Sequence, residues 1–565
     1  DGPGKTGVEH VWHGDQQLTG QAKFIRGRNF GLAHAKIVMP FNCAKSGRRS
    51  STRLNTHRPT QIQVVHMPAS LLENHPLSTQ PQPGQYPKGL MWFRRDLRTH
   101  DNAALFYALK HCQQVHCVFV FDKTILDELH NKADRRVEFI WESCMALKKK
   151  LQDFGGDLHL VYDHAESAIP ALAAKLGVKT VFTNKDYEPA AIHRDITVGK
   201  TLQGNGVELF RFKDQAIFEE DEVLTQAGKF FSVFTPFKNA CLKKLDEFHL
   251  TPYPSESRTA SLAKDSGLKV PSLDDMGFKR TNLLEMIKPG EEGALDAFED
   301  FLNRMDKYKV ARDFPAIKGV SYLSVHNRFG TISIRRLAKA AYDRFKFDGS
   351  EGAMGWLNEL IWRDFYFQII YHRPDAAEKA FKPEYDLIQW DSDEKAQKLF
   401  KAWCEGKTGF PLVDAAQRQL NQTGFQHNRL RMVTASFLTK DLGIDWRWGE
   451  KYFAENLNDF DLSANNGGWQ WAASTGCDAQ PYFRIFNPYS QSEKFDAEGK
   501  FIRKYCPELA KLSNKYIHNP AECPTFELQM AGVVLGETYP RPVVEHDVAR
   551  KKTLERYAVV KKVKE

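Results

Sequence analysis

The sequence contains no apolar run of about 18 residues, so no membrane-spanning helix is expected. Its cysteines, at 43, 112, 117, 144, 241, 404, 477, 506 and 523, include no CxxC pair. That scatter speaks against a disulfide framework and suits reduced thiols in the cytoplasm. No GxGxxG is present, which leaves a conventional dinucleotide cradle unsupported. The "GKTG" at 406–409 ends like a phosphate loop, but the required earlier glycine position is Lys401. HExxH and EF-hand spacings are also missing, so no metal site is expected from local motifs.

What is present is an ordinary globular composition, 42% hydrophobic and 27% charged, somewhat rich in aromatics at 12%. At 565 residues the chain is long enough for two or three domains. The net charge of +8 lies in the ends: residues 1–86 carry an excess of +6 and residues 549–565 one of +5, leaving the middle at −3. Binding of nucleic acid by the core would therefore need a local basic patch and not a global field.

Residues 1–87 lack a sustained period and a secretory apolar segment, and read as a poorly ordered extension. From 88 to 215, short apolar runs ("GLMWF", "VHCVFVF", "LHLVY", "KTVFT", "VELFRF") alternate with amphipathic helical stretches. This alternation predicts an α/β domain with a parallel, Rossmann-like sheet. Residues 216–288 are turn-rich and suit an interdomain connection. Helical periodicity then dominates 289–520, predicting a large all-α domain. Residues 521–565 form a C-terminal tail whose basic end, 549–565, reads as a solvated helix end, with DNA contact as the sharper alternative.

Three segments of the helical domain stand out. In "GWLNELIWRDF", Trp356, Glu359, Trp362 and Arg363 share a helix face. Taken alone, a surface Glu359–Arg363 pair beside two core tryptophans explains them better than a ligand does. In "GFQHNRLRMVTASF", Asn428, Arg431, Met432 and Ala435 share a face, and polar groups there need partners. In "NDFDLSANNGGWQWAAS", Asp459 and Asp461 would point the same way from an extended backbone, toward Arg431 or a polar heterocycle. Gly467 and Gly468 would let the chain approach a flat ring.

Together with "MWFRRDLRTHDNAAL", "FTPFKNACLKKL", "ARDFPAIKGVSYLS", "GFPLVDAAQRQL", "DWRWGE" and "GCDAQPYFRIFNP", these segments resemble the photolyase/cryptochrome flavoproteins over roughly 89–515. The likeness is greatest to class I cyclobutane pyrimidine dimer photolyases. It implies that the all-α domain binds a folded FAD. Tyr308, Ser321, Leu323 and Ser324 would hold the phosphates and ribityl chain, helped by Trp356, Glu359 and Arg363. Arg431 and Asp459 would pair beside the ring, Asp461 would bond its polar edge, and Asn465 would face its N5. Trp390, Trp446 and Trp469 match an electron-supplying chain of tryptophans, although core packing explains each one separately.

The same resemblance implies damaged DNA as the partner, with the dimer flipped out and met by Glu359, Trp362, Asn428, Met432 and Trp471; Asn428 serves cofactor and substrate alike. The implied reaction is light-driven: excited reduced FAD lends an electron, the cyclobutane ring opens, and the electron returns. Arg429, Lys238 and Arg484 are candidates for phosphate contact in a protein that acts as a monomer. The rival is a cryptochrome photoreceptor, DASH type included, and the identities of Trp362, Met432, Asn465 and Trp471 favour the repair enzyme. A second, antenna chromophore of folate or deazaflavin type is the remaining expectation. His130 matches a folate contact, whereas Ala190, Ala191 and Ala377 replace polar ones.

Overall fold

In the computed structural model, residues 85–265 and 267–562 are described; the expectation for 1–87 lies almost wholly outside them. All five apolar runs form strands: β1 (Tyr86–Phe93), β2 (Cys112–Asp122), β3 (Leu158–Asp163), β4 (Thr180–Asn184) and β5 (Glu208–Phe212). The sheet is parallel throughout, in the order β3-β2-β1-β4-β5. Near-continuous burial of "LMWF" and "VHCVFVF" is what a sheet covered on both faces demands. On one face Leu90, Trp92, Val118 and Val181 meet Ile169 of α3 (Ala165–Leu176) and Val198 of α4 (Pro189–Gly204). On the other, Met91, Phe93, Cys117 and Phe119 meet α1 (Ala103–His111) and α2 (Arg135–Asp153). Chain order reverses between β1 and β4, the crevice where open α/β sheets bind ligands.

The connection 216–288 is more ordered than its turn-rich text suggests. It contains α5 (Phe234–Lys244), whose Phe237 and Cys241 are buried in the helical core. The helical part is organised by α6 (Glu351–His372), α7 (Pro411–Thr423), α8 (Asn428–Ser436), α9 (Trp446–Asn456) and α10 (Leu462–Ala473). Helix α10 packs against α6, α8 and α9 at once.

The tail corrects a second expectation. It folds back as α11 (His546–Arg556), and Tyr557 is fully buried, its hydroxyl donating to the Ala473 carbonyl at 2.7 Å. Tyr539 is also buried and donates to Asp414 at 2.7 Å. Single tyrosines anchor a segment whose overall polarity hides them.

Candidate functional site

The glycine pair lies inside α10, not in a loop. Asp461 caps this helix, accepting from Ala464 N at 3.2 Å, and the helix ends at Ser474 with φ of +67°. A Cβ on Gly467 would strike the ring of Tyr366, so glycine here buys close approach to an aromatic of α6. Gly449 of α9 is bare for the same reason: a Cβ would collide with Trp469. Trp469 is buried edge-on to Phe453 at 5.0 Å and to Trp403 at 6.0 Å, and its Nε1 has no hydrogen-bond partner. Trp446 is buried in the same core, while Trp390 is half-buried at its rim, edge-on to Tyr557 at 6.0 Å. The expected tryptophan set therefore runs from core to rim.

Arg431 and Asp459 form the expected ion pair, with Nη2 at 3.1 and 2.8 Å from the two carboxylate oxygens. The turn carrying Asp459 is fixed next door: Asn458 N donates to Gly424 O at 2.8 Å and its side chain to Thr423 O at 2.9 Å. Arg431 is aimed by its Nε, which donates to Gln426 O at 2.8 Å.

Asp461 points elsewhere. It pairs with Arg95, just past β1, and lies 3.9 Å from Arg328. The common direction expected for Asp459 and Asp461 fails because Asp459 sits in a turn and Asp461 begins a helix. Arg95 also holds Asp186 at 3.1 Å and Glu188 at 3.0 Å, so one guanidinium joins the sheet domain to α10. Burial would raise the Asp461 carboxyl, but Arg95, Arg328 and Arg363 hold it below the usual range.

Arg363 is not paired with Glu359. Its guanidinium donates to the carbonyls of Gln215 and Asn327, the latter at 3.4 Å, and lies 4.5 Å over Phe367. No ion pair among the described residues includes it. Burial pushes it down to about 10, and part of its surface stays open. Glu359 instead accepts from Arg312 at 2.5 Å; burial raises its carboxyl against that pairing. Asn465 Nδ2 donates to Glu450 O at 3.0 Å and Oε1 at 3.1 Å, and burial pushes Glu450 up to about 7. Arg95, Arg312 and Glu450 lie within segments that carry the family resemblance but were not singled out there, and Arg328 lies outside those segments.

The remaining expected residues divide. Tyr308 is buried edge-on to Phe301 at 5.8 Å, and Trp356 tilts onto Phe301 at 4.7 Å. Ser321 Oγ accepts from Leu323 N at 3.4 Å across Tyr322, a non-glycine residue at φ +59°. Leu323 is buried and Ser324 exposed. Trp362 stacks on Phe234 at 3.6 Å; Asn428 is exposed at the start of α8; Met432 and Trp471 are half-buried. Arg429 is engaged by Asp313 at 2.9 Å and by the Phe495 ring at 4.5 Å. Arg484 is exposed and Lys238 half-buried.

The sheet crevice holds a second constellation. Arg94, Arg194 and Arg211 share one carboxylate, Asp195, with the latter two at 3.4 and 3.9 Å. Arg94 and Arg194 lie 4.8 and 5.3 Å over the Trp92 ring. The Nε atoms of Arg194 and Arg211 are buried without partners. His130 is exposed, Ala190 and Ala191 lie on α4, and the Ala377 carbonyl accepts from Asn466 at 3.3 Å.

Two cavities border these groups. One of about 260 Å³ is lined by Tyr366, Ser463, Asn466, Gly467 and Gln470 among others. Another of about 180 Å³ lies against Arg95, Arg98, Asp214 and Asn327.

Comparison with known proteins converges on the same regions. Residues 89–256 match the model of DNA photolyase, and 356–559 that of the FAD binding domain of DNA photolyase. A deoxyribodipyrimidine photo-lyase of Agrobacterium fabrum strain C58 is 39% identical over 84% of this chain and 98% of its own. The crystal structure of a bacterial class III photolyase from Agrobacterium tumefaciens aligns with a TM-score of 0.78 at 37% identity, over 86% of this chain and all of that one. A cryptochrome of Synechocystis sp. PCC6803 gives 0.74 at 27% identity, over 83% and 99%. A five-stranded parallel sheet, a helical body built around one tryptophan-bearing helix, and matches that span both place this chain in the DNA photolyase family.

Proposed function

We propose that this protein repairs cyclobutane pyrimidine dimers in DNA under light, with FAD as its cofactor. The observation that carries the reading is the convergence on α10. That helix bears Asn465, Trp469 and Trp471, and packs on α6 with Glu359, Trp362 and Arg363, on α8 with Asn428, Arg431 and Met432, and on α9 with Trp446.

The residues fit a flavin dinucleotide chemically. Arg363 is a deep cation whose hydrogen bonds go to carbonyls and not to a carboxylate, which suits a diphosphate. The left-handed Tyr322 marks a constrained turn between Ser321 and Leu323, as ligand-holding segments often show. Buried Ser463 Oγ and Trp469 Nε1 have hydrogen-bonding capacity to spare. Both cavities are partly open and too small for a dinucleotide, which would enter with side chains such as Tyr366 drawn apart.

Bound FAD supplies an electron donor excited by blue light. Around it, Tyr308, Ser321, Leu323, Ser324, Trp356 and Arg363 would hold the phosphate and ribityl end. The Arg431–Asp459 pair and Asp461 would fix the ring end, with Asp461 keeping its pair with Arg95. Asn465 would present its amide to the ring, oriented by Glu450. Trp390, Trp446 and Trp469 would carry electrons inward from the rim. Trp362, Met432 and Trp471 would give the flipped dimer apolar faces, with Glu359 and Asn428 bonding its polar edges. Arg484 and Lys238 are open to phosphate contact, whereas Arg429 would first have to leave Asp313. The switch-point arginines would take a second, anionic aromatic chromophore of folate or deazaflavin type. Its thiols, free throughout the described residues, suit a reducing cytoplasm, and we take the acting unit to be a monomer.

The test is repair of an oligonucleotide bearing one thymine dimer by FAD-loaded protein. Repair in blue light and none in darkness is expected. Flavin-loaded protein that leaves the dimer intact in light would favour the photoreceptor reading instead.

A further inference from the structure

At the end of the sheet away from the crevice, three side chains from distant segments meet. Val118 of β2 pairs with His159 of β3, so His116, two residues before Val118, projects from the same face as His159. β3 begins opposite Cys117, which leaves the flank of Val115 open on that side. Leu262 fills it with a parallel bridge, and Ala263 N donates to Val115 O at 2.8 Å. This brings Asp265 against the imidazoles: its Oδ2 lies 2.8 Å from His116 Nδ1 and 2.9 Å from His159 Nε2. The three candidate ligand atoms all lie within 4.8 Å of one another.

As a hydrogen-bonded cluster, both nitrogens must carry protons aimed at one oxygen. His116 Nε2 is buried without a partner, so no second contact fixes that ring's tautomer. A divalent ion removes the demand, since each nitrogen gives a lone pair and the carboxylate gives charge. Zinc bonds of about 2.0–2.2 Å place neighbouring tetrahedral ligands about 3.3 Å apart. The present 2.8 and 2.9 Å contacts need widen by only about half an ångström. His159 and Asp265 are part-exposed, which gives an ion a way in.

We propose that His116, His159 and Asp265 form a three-ligand zinc site, completed by water, that fastens the 255–265 connection to β2 and β3. Asp265 is 149 residues from His116 and 106 from His159, so no local motif reveals the set.

The test is equilibrium dialysis of the flavin-loaded protein against Zn(II), with bound metal counted per chain. One zinc is expected. His159→Gln and Asp265→Asn should each weaken binding by at least about 100-fold, since a lost ligand costs more than the 10–100-fold of an outer partner. His130→Gln, at an exposed histidine elsewhere, should leave it unchanged. Retained flavin shows that each variant is folded, and if Asp265→Asn loses it, His159→Gln alone decides. Wild-type protein that holds no zinc, or a folded His159→Gln variant that holds it equally well, overturns the proposal.

Discussion

Arg94 and Arg95 are neighbours at the end of β1, yet they enter opposite electrostatic environments. Arg95 meets three carboxylates, Asp186, Glu188 and Asp461, drawn from both domains. Arg94 shares a single carboxylate, Asp195, with two further arginines. The first cluster is charge-satisfied by the protein itself and joins its halves. The second keeps a surplus of positive charge in the ligand crevice of the sheet. Arg363 resembles the second kind, being deep, cationic and without an ion-pair partner among the described residues. Balanced arginines hold this fold together, whereas unbalanced ones are suited to anions from outside.

The sharpest way to break that distinction is Arg95→Leu. It strands buried carboxylates, and losing one partner of a buried pair costs about 3–5 kcal/mol. Denaturant unfolding should show a drop of that size, or the variant should fail to accumulate folded. A change below about 1 kcal/mol, the scale of an exposed pair, would mean that the cluster does not join the domains.

Arg363→Met should behave in the opposite way. Its hydrogen bonds go to carbonyls and it forms no ion pair among the described residues, so stability should fall by less than in Arg95→Leu. FAD affinity should fall about ten- to a hundredfold, because a hydrogen bond to a charged group contributes about 1.5–3 kcal/mol. Fluorescence titration of FAD into apoprotein measures it, and unchanged affinity would remove Arg363 from the cofactor site.

Glu450 allows a pH test. Burial raises its folded carboxyl to about 7, above the ordinary 4.5, so the fold disfavours the ionised form. Its contribution to stability is fully present below about 4.5 and is lost as pH rises through about 7. Glu450→Gln should flatten that segment of the stability–pH curve, measured by urea midpoints from pH 5 to 8. A curve parallel to wild type would show that Glu450 does not titrate there.

Much of this architecture was readable from local pattern. Each apolar run became a strand because a two-sided buried sheet leaves no room for polar alternation. The Arg431–Asp459 pair, one of two alternatives open from the residues and the one the family resemblance implies, stands in the structure at 2.8 Å. What escaped was long-range. Asp461 meets an arginine 366 residues away, and Asn465 is held by a glutamate on another helix, with nothing periodic to announce either. Two adjacent glycines are poor helix formers, yet the cap at Asp461 and the buried Trp469, Ala472 and Ala473 carry the helix through them. The polar tail hid its anchors because one buried tyrosine outweighs a run of solvated lysines.

The smallest effect belongs to Arg211→Leu. Its guanidinium stands 3.9 Å from Asp195, which keeps Arg94 and, at 3.4 Å, Arg194 after the substitution. No carboxylate is stranded, so unfolding free energy should move by less than about 1 kcal/mol. Binding of an anionic deazaflavin or folate, followed by its near-ultraviolet band, should nonetheless weaken, because one of three converging cations is gone. Equal destabilisation by Arg211→Leu and Arg95→Leu would erase the division between joining and ligand-seeking arginines. Unaltered dye binding would leave the switch-point surplus as a structural feature with no second chromophore to hold.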